Sequence, residues 1–445
     1  MIKGTVVVSI KKGTIACDFI MSDMPDIQNY VVRLNSGMNI HYLKDVKRSP
    51  KPLDYDIDKK DTLQAEETAA YLVHENRGNP ARYLPEQLEV KYVGMYPVVP
   101  DSAGGYMGGD WRGNIAFNGY SIRADGTQGA WYPVLYDMKK QTAYADVRYD
   151  LNITCSDCSV LFVNGSAPVK AKTAHFVSDV PRDMAIYCGN FETIEVNNTW
   201  ILNPDMPKPQ QKELLDIANS YKQWYQKELN IPFKGNMTFV QTTPTADPKE
   251  WGFAFQASPT TFNVATGKWS LGAMFNGDGG ARHKQTVAHE LAHYYFGDYL
   301  HTNTAFGGII NEGYAEFLSF KLTKALVGDA AYNELLTNKL NAIKHFKGKP
   351  LSAIKNAGDY GNHEYYLYYY TLVVLTAVEK EIGEQAMWRW LTTMLNTKAD
   401  LTDYNFFIKT FDAAITDTAL NQRIKDKYFT SDKALDNARE ELGVK

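Results

Sequence analysis

Residues 286–300, TVAHELAHYYFGDYL, place two histidines and a glutamate in the order H-E-x-x-H. Residues four apart on a helix lie on nearly the same face, so His289 and His293 can direct two ring nitrogens to one ion. Glu290 lies roughly 100° further round the helix, beside the ion, where it can hold a water molecule. The pattern therefore predicts a helix that supplies two metal ligands and needs a second element to complete the site.

The second element is predicted at 307–320, GGIINEGYAEFLSF, where two glutamates are four apart. A catalytic zinc usually has three protein ligands and one open position. Glu312, separated from His293 by eighteen residues, is predicted as the third ligand. Buried acids are costly without partners, so Glu316 is predicted to accept a hydrogen bond from a ligating histidine. We expect Gly313 to let this helix approach the H-E-x-x-H helix closely.

The alternative to a metal site is a core helix whose two histidines bind other polar groups. The helical setting and the spaced glutamate favour the metal site. The second segment also has an apolar stripe on a different face from its glutamates, formed by Ile310, Tyr314 and Phe317. His283 and His301, which flank the motif, are more simply surface or capping residues.

Composition limits the classes of protein to which the chain can belong. Its 445 residues are too many for one core of usual size, which indicates two or three domains. With 44% apolar and 22% charged residues, the chain has the composition of a globular protein. A formal net charge of −4 argues against nucleic acid as a partner. No apolar run reaches about 18 residues, so no transmembrane segment is expected.

The hydrophobic pattern changes near three closely spaced prolines. Up to about residue 200, runs such as TVVVSI, YVVRLN and LEVKYVGMYPVV alternate with Gly, Asn, Asp and Pro clusters, as in antiparallel sheets. Pro204, Pro207 and Pro209 then mark a boundary. Residues 211–229 have helical periodicity, strands are expected at MTFVQT and around WSLGAMFN, and helices follow nearly to the end. This predicts an α+β fold, with a β domain at 1–202 and a mostly helical domain at 203–445.

Four cysteines are too few for a disulfide scaffold. Cys155 and Cys158 form a single C-x-x-C between strand-like segments. Buried thiols or one local disulfide are the simpler interpretation, and metal or redox chemistry is the alternative.

The motifs resemble those of the aminopeptidase N family of gluzincin metallopeptidases, which carries H-E-x-x-H, eighteen residues and then an NEGFAE-like helix. HYYFGD, IGEQAMWRWLTTML and LTDYNFFIKTF are similar to other stretches of that family, and LFVNG and IYCGNFE are more loosely similar to its β domain. The resemblance covers most of the chain, most strongly after about residue 205. It implies a saddle-like N-terminal β domain, a thermolysin-like catalytic domain, one zinc ion per chain and a peptide or protein substrate.

Residues 272–276, GAMFN, resemble the G-x-M-E-N substrate strand of the family. The resemblance implies that the backbone of Gly272, Ala273, Met274 and Phe275 aligns the peptide as an added strand. The family's glutamate, which binds the free α-amine of the substrate, is Phe275 here. The chain also ends near the end of the catalytic domain, so the helical-repeat domain of larger members is expected to be absent. Both departures favour cleavage of internal or N-blocked peptides over aminopeptidase action.

The resemblance also implies a tyrosine that stabilises the transition state. Counting back from Gly383 through HEYYLYYYTLVVLTAVEKEIG places Tyr368 at the family's position. Tyr366 and Tyr369 are the alternatives, because the cluster has five tyrosines in six residues.

The predicted reaction is hydrolysis of a peptide bond by a zinc-activated water, with Glu290 as general base. The alternative class is a peptide-binding module that has lost hydrolysis, although a pure binder would not need Glu290. The N-terminus lacks the roughly 7–15-residue apolar core of a secretion signal. The chain is therefore expected to be cytosolic or to have lost a leader, and we favour export to the cell envelope or periplasm.

Overall fold

The structure is a computed structural model that describes residues 1–48, 51–58, 68–99, 115–126, 129–140, 142–241, 254–257, 260–264, 270–276 and 280–444. The chain forms two compact units, Met1–Gln211 with Gly235–Met274, and Lys212–Lys234 with Phe275–Lys445. These units differ from the predicted domains mainly in the assignment of 235–274. The division into 1–202 and 203–445 stays a prediction.

The first unit is built from β-sheets. Its strands within the described residues are β1 Ile2–Ser9, β2 Thr14–Met21, β3 Tyr30–Asn35, β4 Met38–Asp45, β5 Asp54–Ile57, β6 Thr68–Asn76, β7 Asn79–Arg82, β8 Leu88–Met95, β9 Ile115–Phe117, β10 Ser121–Ala124, β11 Val134–Asp137, β12 Thr142–Tyr144, β13 Val147–Cys155, β14 Val160–Val163, β15 Thr173–Arg182, β16 Ile186–Gly189, β17 Thr193–Val196, β18 Thr199–Leu202, β19 Met237–Gln241, β20 Ala254–Ala257 and β21 Thr261–Val264.

These strands form four sheets, with the strand orders β15-β13-β1-β2-β8-β4, β14-β16-β10-β9, β12-β11-β3-β6-β5 (β7 pairs with β6) and β17-β18-β19-β21-β20. Most pairs are antiparallel, but β1 pairs with β13 in parallel, and β19 pairs in parallel with β18 and β21. Side chains of β2 and β8 alternate between buried and less buried positions, so one face of their sheet packs into the core.

A large aromatic cluster fills the core beneath the first sheet. Trp131 is fully buried, and its indole N–H donates to the Met184 carbonyl at 2.8 Å. The Tyr92 hydroxyl in turn donates to the Trp131 carbonyl at 2.7 Å. Each polar atom of these large side chains therefore has a partner, which lets them be buried without an unpaired donor.

The second unit is mainly helical. The helices that the structure describes are, in chain order, α1 Lys208–Leu229, α2 Leu271–Asn276, α3 Gly280–Ala292, α4 Tyr314–Leu322, α5 Asp329–Ala342, α6 His363–Tyr365, α7 Thr371–Ile382, α8 Glu384–Asn396, α9 Tyr404–Ala414, α10 Thr418–Ile424 and α11 Ala434–Glu441. Residues 208–211 of α1 and 271–274 of α2 belong to the first unit. Short π-helical turns occupy Ile309–Gly313, Thr323–Val327, Tyr366–Tyr370 and Lys425–Phe429, and 3₁₀ turns occupy Leu351–Ala353 and Ala357–Tyr360. None of the helices that the structure describes is long and apolar enough to cross a membrane.

The predicted order of a β-rich region followed by a mostly helical region is confirmed, and β19 matches the strand expected at MTFVQT. The strand expected around WSLGAMFN is wrong, because residues 271–276 form helix α2. Ser270 Oγ accepts the Ala273 N–H at 3.1 Å, and Asp205 Oδ1 accepts the Gly272 N–H at 2.6 Å. These caps satisfy the first amides of a segment that contains the strong helix formers Leu, Ala and Met.

The four cysteines are all buried, as two thiols and one disulfide. Cys155 and Cys158 form a local disulfide, while Cys17 and Cys188 are free thiols. The structure therefore agrees with the simpler interpretation of the C-x-x-C.

Candidate metal centre

Helix α3 carries the H-E-x-x-H motif on its buried face, where its last eight residues are almost all inaccessible to solvent. The hydroxyl of Tyr225 on α1 donates to the Ala288 carbonyl at 2.7 Å and fixes the helix from behind. His293 follows directly after the last residue of α3. The chain then turns at Gly297, where an added Cβ would lie 2.8 Å from the His293 carbonyl oxygen and 2.9 Å from Asn311 Oδ1. A residue larger than glycine would therefore push this turn away from His293.

Three side chains converge at the end of α3. His289 Nε2 lies 3.1 Å from His293 Nε2. Glu312 Oε2 lies 3.4 Å from His289 Nε2 and 3.3 Å from His293 Nε2. Zinc ligands at about 2.0–2.1 Å in a tetrahedral arrangement are separated by about 3.3 Å. The three donor atoms therefore have the spacing of one face of a zinc coordination tetrahedron.

The outer nitrogen of each histidine already has a partner. His289 Nδ1 donates to Glu316 Oε2 at 2.8 Å, since an ionised carboxylate can only accept. His293 Nδ1 lies 3.0 Å from Asn311 Oδ1 and 3.3 Å from the Phe296 carbonyl oxygen, both acceptors. Donation from Nδ1 leaves both Nε2 atoms as potential metal ligands. The chemistry of the donor set and the hydrogen bonds behind it thus fit a zinc ion.

Glu316 is the centre of a buried polar network. It is 3% exposed, and its Oε1 atom lies 2.7 Å from Lys339 Nζ. Its Oε2 atom accepts from His289 and, at 3.0 Å, from Gln285 Nε2. Burial alone would raise the pKa of Glu316, but Lys339 and His289 outweigh burial and lower the pKa to about 2. Glu316 is therefore an anion over the whole physiological pH range.

Without a metal ion, the converging groups hold protons between them. Burial lowers the pKa of His289, but the hydrogen bonds with Glu312 and Glu316 outweigh it and raise the pKa to about 10. Burial raises the pKa of Glu312, but His293 and His289 hold it well below its usual range. A cation between these groups is therefore stabilised, and in the metal-free protein that cation is a proton.

Two π-helical turns present Glu312 and Tyr368. Glu312 lies in the turn Ile309–Gly313 and Tyr368 in the turn Tyr366–Tyr370. Such turns insert an extra residue into a helix and are frequent at functional sites. Within the tyrosine cluster, the ring centroid of Tyr368 lies 5.6 Å from that of His289. Burial raises the pKa of Tyr368, and the carboxylate of Glu312 beside its hydroxyl raises the pKa further. Its hydroxyl is therefore protonated at neutral pH.

The two alternative tyrosines point elsewhere. Tyr366 donates to the Lys349 carbonyl at 2.8 Å and stacks on Tyr370. The Tyr369 hydroxyl donates to Glu364 Oε1 at 3.4 Å on the protein surface. The structure brings Tyr368, rather than either neighbour, beside Glu312.

Gly313 does not serve the close approach that we expected between its helix and α3. An added Cβ at Gly313 would lie 2.4 Å from Thr371 Cγ2 and 2.9 Å from Thr371 Cβ, so the close neighbour is α7. Consecutive helical residues point about 100° apart. Because Glu312 faces the histidines, the next residue must face a different helix, and the expectation was wrong.

Gly313→Ala is expected to lower the free energy of unfolding by about 1–3 kcal/mol, because the added methyl overpacks the contact with Thr371. Gly280→Ala is the matched control, since an added Cβ at this first residue of α3 meets nothing within 4 Å. Urea unfolding measures both variants, and equal stability of Gly313→Ala and the parent would contradict the packing argument.

The remaining predicted residues lie in α2. Gly272 and Ala273 use their backbone amides within the fold, as described above. The side chains of Met274 and Phe275 lie outside the part of the chain that the structure describes. The helical conformation excludes a role for this segment as a strand to which a peptide is added.

Sequence reasoning missed three polar residues around the site, namely Asn311, which contacts His293 and Glu312, and Gln285 and Lys339, which contact Glu316. The first two have a sequence signal, because Asn311 precedes Glu312 and Gln285 lies one helical turn before His289. Asn311 contacts two of the three converging residues, because its Oδ1 lies beside His293 Nδ1 and its Nδ2 donates to Glu312 Oε1 at 3.4 Å. Lys339 comes from a helix with no recognisable motif.

No protein-family model matches the chain, and no curated protein matches it. The fold is similar to the crystal structure of an M1 zinc metallopeptidase from Deinococcus radiodurans, with a TM-score of 0.62 and 12% identity over 95% of this chain and 92% of that one. A mutant of that enzyme bound to a Tyr-Ser-Ala substrate gives a TM-score of 0.58 at 12% identity over the same shares.

Native leukotriene A4 hydrolase from Saccharomyces cerevisiae gives a TM-score of 0.63 and 13% identity over 95% of this chain and 66% of that one. At such low identity the likeness establishes the fold alone. These solved structures are an M1 zinc metallopeptidase and a leukotriene A4 hydrolase.

Proposed function

We propose that the chain is a zinc-dependent peptidase whose catalytic part is 203–445. The observation that carries the proposal is the triangle of His289 Nε2, His293 Nε2 and Glu312 Oε2, with edges of 3.1–3.4 Å. One zinc ion per chain would be held by these three residues. When bound, zinc supplies Lewis-acid polarisation of a carbonyl and lowers the pKa of bound water towards about 7.

Glu290 is the proposed general base. It follows His289 on α3, is 9% exposed and is not one of the three converging ligands. Its carboxylate would take a proton from the attacking water and deliver it to the leaving amine. The hydrogen bonds of Glu316 and Asn311 keep the two histidine rings in place throughout.

Tyr368 is the proposed donor to the oxyanion. Its protonated hydroxyl beside Glu312 would donate to the carbonyl oxygen of the scissile bond as negative charge develops there.

Tyr368→Phe is expected to reduce kcat by roughly 10²–10³-fold with zinc retained, the effect of losing one oxyanion donor. Tyr366→Phe is a useful comparison, because that hydroxyl binds the Lys349 carbonyl. Steady-state hydrolysis of a peptide measures both. A larger loss of kcat in Tyr366→Phe or Tyr369→Phe than in Tyr368→Phe would show that Tyr368 is not the donor.

Phe275 supports cleavage of internal or N-blocked peptides. In the family that the motifs resemble, this position carries the carboxylate that pairs with the substrate's terminal ammonium. A benzyl group offers no charge, so an ammonium beside it would lose water without gaining a partner. The resemblance supports Phe275 as a residue of the substrate site, and the role of an added strand is no longer proposed.

We expect a higher kcat/KM for an acetylated peptide than for the matched peptide with a free N-terminus, and Phe275→Glu should shift the preference towards the free form. Cleavage of a mixed peptide library, read for the position of the cut, tests the same point without assuming a substrate. A strong preference of the parent for free N-termini would restore an ordinary aminopeptidase.

A further inference from the structure

Lys339 connects a weakly packed helix to the back of the metal centre. On α5 the buried residues are Leu336 and Leu340, and the rest of the helix is more exposed. The Lys339 side chain is nevertheless only 19% exposed. Its ammonium lies 2.7 Å from Glu316 Oε1 and 4.0 Å from the centroid of the Tyr369 ring. The aromatic face favours the cation and fixes the ammonium beside the carboxylate.

The contacts of Glu316 divide between its two oxygens. Lys339 Nζ forms an ion pair with Oε1 at 2.7 Å, whereas His289 Nδ1 and Gln285 Nε2 both donate hydrogen bonds to Oε2. Gln285 is itself held by Ser319, whose Oγ lies 2.7 Å from Gln285 Nε2. Lys339 is thus the cation that fixes the oxygen remote from the histidine, and the orientation of the carboxylate leaves Oε2 for His289. Removing a cation from a buried ion pair leaves an unpaired charge, which is strongly unfavourable.

We propose that Lys339 is a positioning residue, which acts through Glu316 to hold the imidazole of His289 in the orientation that a metal ion requires. The consequence for catalysis rests on the proposed function. The effect on the orientation of the His289 ring does not depend on the proposed function, because the contacts exist within the chain itself.

The first test is zinc retention. Lys339→Met keeps the length of the side chain but removes the charge, and zinc transfer to a chromogenic chelator is expected to be about 10–100-fold faster, as for lost partners of metal ligands. Lys339→Arg should retain zinc nearly as well as the parent. Lys344→Met, an exposed lysine just after the same helix, is the matched control. Zinc transfer at the parent rate from Lys339→Met would overturn the proposal.

A double-variant cycle separates action through Glu316 from general loosening of α5. Glu316→Gln can still offer an oxygen to His289 Nδ1–H but needs no cation. Adding Lys339→Met to Glu316→Gln is therefore expected to change the rate of zinc transfer by less than about threefold. This change is far smaller than the one that Lys339→Met causes in the parent. Equal fold-changes in the two backgrounds would show that Lys339 does not act through Glu316. The cycle also provides a folded background if Lys339→Met alone is unstable.

The second test uses the zinc-free protein labelled with ¹⁵N-histidine. The Nδ1–H resonance of His289 is assigned by its loss in His289→Ala. We expect to observe this resonance in the parent and in Lys344→Met. In Lys339→Met we expect it to disappear, because the proton exchanges with water. If the parent binds no zinc, the proposed function is wrong. The His289 resonance still tests the role of Lys339 in that case. An unchanged His289 resonance in Lys339→Met would overturn the proposal whatever the zinc result.

Discussion

Glu290→Gln is expected to keep its zinc and to hydrolyse peptides about 10²–10⁴-fold more slowly than the parent, the usual contribution of a general base. The substitution preserves size and hydrogen-bonding shape, but an amide cannot take a proton from water. Glu290 lies beside, and not among, the three converging donors, so zinc content should not change. The expected signature is therefore a loss in kcat at constant zinc per chain.

The control for this experiment is Glu334→Gln, which removes an exposed carboxylate from α5. Zinc content by elemental analysis, thermal unfolding and hydrolysis rates should be measured on the same preparations. Turnover by Glu290→Gln at nearly the parent rate would show that Glu290 is not the general base. A parent that binds zinc and peptides but shows no turnover would instead support the peptide-binding module.

His289→Ala and His293→Ala are each expected to weaken zinc binding by more than about 100-fold, beyond the 10–100-fold typical of losing a partner of a ligand. Each change removes one of three donors from a site whose remaining two atoms cannot complete the arrangement. Hydrolysis should fall with the zinc content. Zinc per chain after dialysis against a buffered low zinc concentration is the measurement.

His345→Ala is the matched control, because this histidine is exposed. Full zinc retention in both His289→Ala and His293→Ala would contradict the site. Retention in only one of them would indicate that a different side chain replaces the missing ligand.

Much of the site could be predicted because its geometry is local in sequence. The i, i+4 spacing of His289 and His293 fixes their relative direction on any helix. Glu312 and Glu316 were recognisable because two acids on a largely apolar helix need partners. The structure brings all four together, and their roles as ligands and hydrogen-bond acceptor stay predictions until zinc binding is measured.

The contacts that sequence reasoning missed depend on tertiary packing. The sequence does not show which helix packs against the residue after Glu312, and the neighbour of Gly313 is Thr371 of α7 rather than a residue of α3. Lys339 is one of many lysines, and only the fold shows that its ammonium is enclosed between Glu316 and Tyr369.

The secondary structure, like the site, could be predicted where its signal is local in sequence and not where it depends on distant residues. Alternation in β2 and β8 and helical periodicity in α1 predict these elements directly. At 271–276 the apolar residues fit a strand as well as a short helix, and Asp205, which caps this helix, lies 67 residues before its partner Gly272. Short apolar segments of this kind are decided by partners that are distant in sequence.

Zinc dependence is tested most directly by titrating zinc into the metal-depleted parent while following hydrolysis of a mixed peptide library. We expect no hydrolysis without zinc and a rise that ends at one zinc per chain, with Glu290→Gln binding the same amount of zinc but staying inactive. Hydrolysis that persists at the parent rate after complete removal of zinc, or saturation of the parent with zinc without any peptide cleavage, would contradict the proposed zinc-dependent peptidase.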